Sequence, residues 1–174
     1  FFVDGDDYFD KVALGTLMDS CVNSDYDVVW FGFDKRESSH ITTETYGFET
    51  NMSHIHRCTE EEKWKFITGL GPWNKVARKK FLIDNNIIFS EAYFNEDQIF
   101  SARLVIESQN AGCFAYPVYN YVQYGNSLSK TYDFDKLILG HKIEKEFNML
   151  LKKHHRLTVE TRNSSMGNHL ARIY

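Results

Sequence analysis

Apolar and polar positions along the chain fall into blocks that read alternately as strands and helices. Phe1-Phe2-Val3 is apolar and runs straight into Asp4-Gly5-Asp6-Asp7, which predicts a short buried strand ending in an acidic turn. Phe9, Val12, Ala13, Leu14, Leu17 and Met18 recur at helical spacing and predict a helix over 8–20. Val28-Val29-Trp30-Phe31 is too apolar for a surface position and predicts a buried strand over 27–33. The stretch 37–60 is polar, rich in Ser and Thr and weakly patterned, so it reads as an irregular excursion or an acceptor-side loop. A helix over 61–70 is expected to stop at Gly69-Leu70-Gly71-Pro72, followed by an extended 73–78 and a short helix over 79–86. Asn95 with Gln98 three residues on makes a capping-box pattern, and the apolar body 99–106, broken only by Arg103, predicts a buried helix. Two strands, 113–118 and 119–124, are expected around Pro117, with a turn at Gly125-Asn126. The stripe Leu139, Ile143, Phe147, Leu150 and Leu151 predicts a long helix over 134–154, whose basic end, 152–156, complements the helix dipole. The last segment, 157–174, reads as a weakly specified helix. Strands alternating with helices predict an α/β fold.

Composition narrows the function classes. A chain of 174 residues suits one domain with a sizeable core. The formal net charge of -4 counts against a nucleic-acid binder that lives on phosphate contacts. No apolar run approaches the length of a membrane span. The start at Phe1 matches neither a signal peptide nor an initiating methionine, and sequence is expected upstream. Three widely spaced cysteines, Cys21, Cys58 and Cys113, argue against a disulfide framework and for a reducing, cytoplasmic setting.

Asp4, Asp6 and Asp7 carry the clearest chemistry. Three carboxylates within four residues repel one another, and a bound cation relieves that. Oxygen ligands of this kind suit Mg²⁺ or Mn²⁺, and Mg²⁺ is typically held by one or two carboxylates plus substrate phosphates. In open α/β sheets the carboxyl end of a strand is where ligands bind. A plain surface turn stays open, since Asp and Gly are favoured there. A calcium EF-hand loop opening at Asp4 would need Glu at its twelfth position, where Gly15 stands. A haloacid-dehalogenase-type phosphatase also places Asp-x-Asp after an apolar strand, but Tyr8 stands where its usual Thr or Val would be.

Further along, Glu96-Asp97 falls in the first turn of the helix that Asn95 opens. The helix dipole favours ionised carboxylates there, and a carboxylate kept ionised can serve as a general base. On position alone, simple dipole complementarity is the more economical reading of the pair. Trp73 and Lys75 alternate, so they could face one pocket, Trp73 stacking on a sugar and Lys75 reaching a phosphate; a core Trp beside a solvated Lys is the other reading. His54, His56 and Cys58 could share one strand face as zinc ligands, although a polar strand edge or mobile loop accounts for them more simply.

With both acidic groups placed, the sequence resembles the family 2 glycosyltransferases, especially bacterial enzymes of capsule and surface-polysaccharide assembly. The resemblance rests on Phe2-Val3-Asp4-Gly5-Asp6-Asp7, then Trp73-Asn74-Lys75-Val76-Ala77-Arg78-Lys79-Lys80-Phe81-Leu82, then Asn95-Glu96-Asp97-Gln98-Ile99-Phe100. The tyrosine-rich strand with Asn126-Ser127-Leu128-Ser129 also looks like the segment that follows in that family. Order and spacing agree over about residues 1–130.

The resemblance implies a GT-A fold, here its C-terminal portion with a mixed sheet and C-terminal helices. It divides the chain into a catalytic and acceptor part, 1–130, and a helical extension, 131–174, with the nucleotide-binding half upstream of Phe1. It implies an inverting transfer of a sugar from a nucleotide-diphosphate donor to a glycan or lipid-linked acceptor hydroxyl. By the family pattern Asp4, Asp6 and Asp7 contact ribose, metal and diphosphate, with Mg²⁺ or Mn²⁺ on Asp4 and Asp6. Asp97 is the expected base, with Glu96 beside it, and Trp73 and Lys75 are candidate substrate contacts. The expected setting is the cytoplasm, at the inner face of the plasma membrane for a lipid-linked acceptor, with peripheral membrane association and a homodimer left open. A non-catalytic glycosyltransferase-like interaction module and a metal-dependent phosphatase are the alternatives.

Overall fold

A computed structural model describes residues 1–37, 39–50, 53–67, 71–89, 96–123 and 134–156, with the side chains of 96 and 134–137 left aside. Two long strands, β2 (Val28–Glu37) and β6 (Ala111–Val122), run parallel through the middle and are buried along most of their length. A parallel pair needs a crossover, and here it contains α2 (Lys79–Asp84) and α3 (Glu96–Glu107). Each long strand is shared by two short antiparallel partners. On β2, β5 (Lys75–Ala77) pairs the start and β3 (His40–Glu44) the end. On β6, β4 (His56–Arg57) pairs the start and β1 (Tyr8–Phe9) the end. The result is a mixed six-stranded sheet.

The alternation of β2 builds two cores. Val28 and Trp30 point to one face, where Phe66, Phe100, Leu104, Ile143, Phe147 and Leu151 pack. That face is covered by α3 and by α4 (Phe134–Lys153), whose apolar stripe lies against α3. Ile143, Phe147 and Leu151, expected in a separate C-terminal extension, therefore share a core with β2 and α3. Val29 and Phe31 point to the other face, onto Ala13 and Leu17 of α1 (Lys11–Val22). Asp10 caps α1, its carboxylate accepting from the amides of Val12 and Ala13 at 3.0 and 2.8 Å. At the starts of the long strands Asp27 accepts from the amides of Gln109 and Asn110, both at 2.9 Å, and ties β2 to β6.

Pro117 does not split β6 in two, as the sequence pattern predicts. The strand runs through, and the register jumps from Phe31 opposite Phe114 to Gly32 opposite Pro117. The extra residues bulge toward β2, and a Cβ at Gly32 would lie 2.8 Å from the Tyr116 carbonyl oxygen, so only glycine fits.

Other expectations change with the surroundings. Phe1-Phe2-Val3 is not a buried strand: the three residues are 45, 36 and 55% exposed. A strand needs a neighbouring backbone, and among the described residues pairing begins only at Tyr8. The rings still pack, Phe1 against Phe9 and Phe31, Phe2 against Phe89 and Phe100. The expected helix over 61–70 is a 3₁₀ segment, Glu62–Phe66, and the expected extended 73–78 opens with a 3₁₀ turn, Pro72–Asn74, led by a proline. The polar excursion 37–60 contributes β3 and β4. The capping residue Asn95, the segment 126–129 and the tail 157–174 lie outside the described residues.

Candidate active site

The acidic turn lies at the carboxyl end of β6, because β1 pairs its Tyr8 with Asn120 and hands the preceding residues past the end of that strand. The Asp7 amide donates to the Asp4 carbonyl oxygen at 3.1 Å and closes the turn. Asp7 turns inward. Its Oδ1 accepts from the Val122 amide and its Oδ2 from the Tyr119 hydroxyl, both at 2.7 Å. The same phenol oxygen accepts from the Asp4 amide at 3.1 Å. Asp4 and Asp6 stay exposed.

These environments raise both the Asp7 and the Asp4 carboxyl. Partial burial raises the Asp7 carboxyl above its usual range, against the pull of its hydrogen bonds from Val122 and Tyr119. Asp4 is exposed, yet packed closely enough on one side to lose solvation, and that raises its carboxyl first; the charges of Asp7, Asp6 and Asp97 raise it further. The charge of Asp97, from the first turn of α3, therefore reaches the acidic turn.

The segment 71–75 forms a wall that touches both α3 and the aromatics of β6. Lys75 is fully buried, and its ammonium donates to the Gly71 carbonyl oxygen and to Ser101 Oγ, both at 3.0 Å. Ser101 lies one turn beyond Asp97 on α3, so the ammonium sits beside that carboxylate. Burial pushes the Lys75 ammonium down to about 7, and Asp97 pulls the other way. Trp73 is 5% exposed and lies nearly parallel to Tyr119 and Tyr121, with ring centroids 4.7 and 5.2 Å away. Its edge contact with Phe33, at 4.9 Å, completes the packing. Both side chains singled out in the sequence are buried, Trp73 in an aromatic stack with β6 and Lys75 against α3. The Glu96 side chain lies outside the described residues, although its backbone begins α3.

Gly71 is where this wall touches the base candidate. A Cβ there would lie 2.7 Å from Trp73 Nε1 and 3.3 Å from Asp97 Oδ2. Gly71→Ala is expected to destabilise the protein by about 1–3 kcal/mol, as overpacking does. Urea unfolding checks this, and an unchanged midpoint would show that the wall yields.

Sequence reasoning missed Tyr119 and Ser101. Tyr119 sits in a run of alternating aromatics and looks like any core residue; the one hint is that a buried phenol needs a hydrogen-bond partner. The zinc reading does not hold. His56 pairs with Glu62 at 3.0 Å, His54 approaches Ser53, and among the described residues no three His, Cys, Asp or Glu could hold a metal on their own.

No family model and no curated protein matches the chain. Solved structures do. S. aureus TarS (1-349) in complex with UDP-GlcNAc aligns with a TM-score of 0.66 at 21% identity, covering 99% of this chain and 47% of that one. The same protein in complex with UDP aligns at 0.58 and 18% identity, covering 94% and 48%. S. aureus TarS itself aligns at 0.61 and 21%, covering 99% and 28%. TarS is a GT-A-type family 2 glycosyltransferase. The fold is GT-A. At such identities the likeness shows the fold, and the chain spans about half the length of the first of these structures. The acidic turn lies at the carboxyl end of β6, and the carboxyl ends of parallel strands are where α/β sheets bind ligands.

Proposed function

We infer that the chain forms the metal-binding and acceptor side of an inverting glycosyltransferase that uses a nucleotide-diphosphate sugar. The observation that carries this reading is the exposed turn of Asp4 and Asp6 at the carboxyl end of β6 in a GT-A fold, with Asp97 among the charges that raise the Asp4 carboxyl. TarS binds UDP-GlcNAc and UDP, which supports a donor of that class.

The donor set fits Mg²⁺ or Mn²⁺. Both oxygens of Asp7 are engaged by Tyr119 and Val122, which leaves Asp4 and Asp6 as the carboxylates able to hold an ion. Two carboxylates completed by a substrate diphosphate match the way Mg²⁺ is usually bound. The ion supplies neutralisation of charge on the leaving nucleotide diphosphate. Asp97 takes the proton of the acceptor hydroxyl as that oxygen attacks the anomeric carbon, and the proton rests on its carboxylate. No covalent enzyme intermediate is required, in keeping with an inverting outcome. Lys75 and Ser101 hold the base face of α3 in place. The acceptor is a glycan or lipid-linked hydroxyl, and the setting is the cytoplasm, at the inner membrane face where the acceptor is lipid-linked.

Titration of the complete protein with Mn²⁺ and a panel of nucleotide sugars tests the reading. Mn²⁺-dependent binding of one of them, followed by release of nucleoside diphosphate with acceptor extract, is the expected result. Absence of binding across the panel sinks it in favour of a non-catalytic module.

A further inference from the structure

Asp7 and Tyr119 stand apart from the other residues of the turn. Asp7 has both carboxylate oxygens engaged by groups of β6, at 2.7 Å each. Tyr119 is fully buried, and its hydroxyl bridges two residues of one turn, donating to Asp7 and accepting from the Asp4 amide. The phenol is thus the one side chain of β6 that grips the turn at both ends. Behind it, the Trp73 ring lies nearly parallel to the Tyr119 ring, and Trp73 belongs to the segment whose Gly71 and Lys75 adjoin Asp97. One aromatic stack therefore backs both acidic groups.

We propose that Asp7 and Tyr119 form a latch that fixes the acidic turn on β6, so that Asp7 positions Asp4 and Asp6 and does not itself contact metal or donor. Tyr119 is a positioning residue in this arrangement, acting through Asp7 and the Asp4 amide. The proposal rests on the glycosyltransferase reading for the use of the turn, but the latch itself is a property of the unliganded protein. A carboxylate that accepts from a strand amide and a phenol has one lone pair on each oxygen already taken, which makes it a poorer ligand for an ion than its exposed neighbours. It also explains why three adjacent acids are arranged with two outward and one inward.

The test compares Tyr119→Phe, Asp7→Asn, Asp7→Ala and Asp6→Asn in the complete protein. Tyr119→Phe keeps the ring in its stack and removes only the hydroxyl. Asp7→Asn keeps an oxygen for the Val122 amide and turns a donor toward the phenol oxygen, so it separates geometry from charge. Two measurements are made: amide hydrogen exchange at Asp4, Asp7 and Val122 without ligand, and Mn²⁺-dependent binding of a panel of nucleoside diphosphates. Tyr119→Phe is expected to speed exchange at Asp4, and Asp7→Ala at Asp4 and Val122. Both are expected to weaken Mn²⁺-dependent binding by about 10–100-fold, the usual cost of losing a residue that orients metal ligands. Asp7→Asn, which keeps an acceptor for the Val122 amide, is expected to weaken binding less than Asp7→Ala and to keep its Mn²⁺ dependence, whereas Asp6→Asn loses the Mn²⁺ dependence while exchanging normally. Asp7→Asn falling as far as Asp6→Asn would overturn the proposal and make Asp7 a ligand. Tyr119→Phe exchanging and binding like the unaltered protein would overturn the role of the phenol. If the unaltered protein binds no nucleoside diphosphate, the glycosyltransferase reading falls and the latch is decided by exchange alone.

Discussion

Asp97→Asn is expected to lower glycosyl transfer by about 10²–10⁴-fold while leaving Mn²⁺-dependent donor affinity within about threefold. The amide has nearly the shape of the carboxylate, so the first turn of α3 and its contact with Gly71 are retained. What disappears is the ability to take a proton. A general base contributes only in the transition state, so the loss falls on turnover and leaves ground-state binding of the donor alone. The helix dipole loses a favourable charge, a cost of about 0.3–1 kcal/mol that a folded domain absorbs. Lys75 loses the neighbour that favours its charged form, which moves its ammonium further down. Steady-state kinetics with the complete protein, paired with calorimetric titration of the donor, separate these effects. Undiminished transfer would remove Asp97 from the proton's path; a matching collapse of donor affinity would recast it as a binding residue.

The elements whose burial is set by their own sequence were legible without a structure. The run Val28-Val29-Trp30-Phe31 is apolar on both sides because β2 is covered on both faces, and α4 shows its stripe because one face meets α3. The acidic turn and Asp97 stood out as candidates because charge is dense at one and sits at a helix start in the other. What depends on a partner distant in sequence was not. Phe1-Phe2-Val3 has the composition of a strand, but hydrogen bonding to a neighbour makes a strand, and no letter in the segment reports one. The alternation of Trp73 and Lys75 reads the same whether the pair faces solvent or Tyr119. Lys75 is the sharper case: a lysine is expected to keep its ammonium in water, and only the nearness of the Gly71 carbonyl, Ser101 and Asp97 lets it go inside.

Burial of that ammonium gives the second large expected effect. Lys75 has its folded-state value lowered from 10.5 to about 7, the reverse of a lysine that gains a salt bridge at the surface. Between those limits the unfolded chain holds the proton and the folded chain releases it. Unfolding then takes up protons, so this group makes stability rise with pH across roughly pH 7–10, by up to about 1.4 kcal/mol per pH unit. Below pH 7 both states are charged and the full cost of burying the ammonium remains, on the order of several kcal/mol. Lys75→Met keeps the length of the stem and removes the titration. The thiols complicate the raw curve: burial pushes Cys21 up to about 11, Cys58 up to about 12 and Cys113 higher still. Those groups lose stability as pH rises past 9, in both proteins alike, so the difference between the two isolates Lys75. Urea unfolding at pH 7, 8 and 9 is expected to show the unaltered protein gaining on Lys75→Met with each step. Parallel curves would mean that the ammonium keeps its proton throughout, held by Asp97 against the cost of burial. In that case Lys75 is a permanent counter-charge to the base, and Lys75→Met should instead move the acid limb of transfer to higher pH, because Asp97 without its cation holds its proton more tightly.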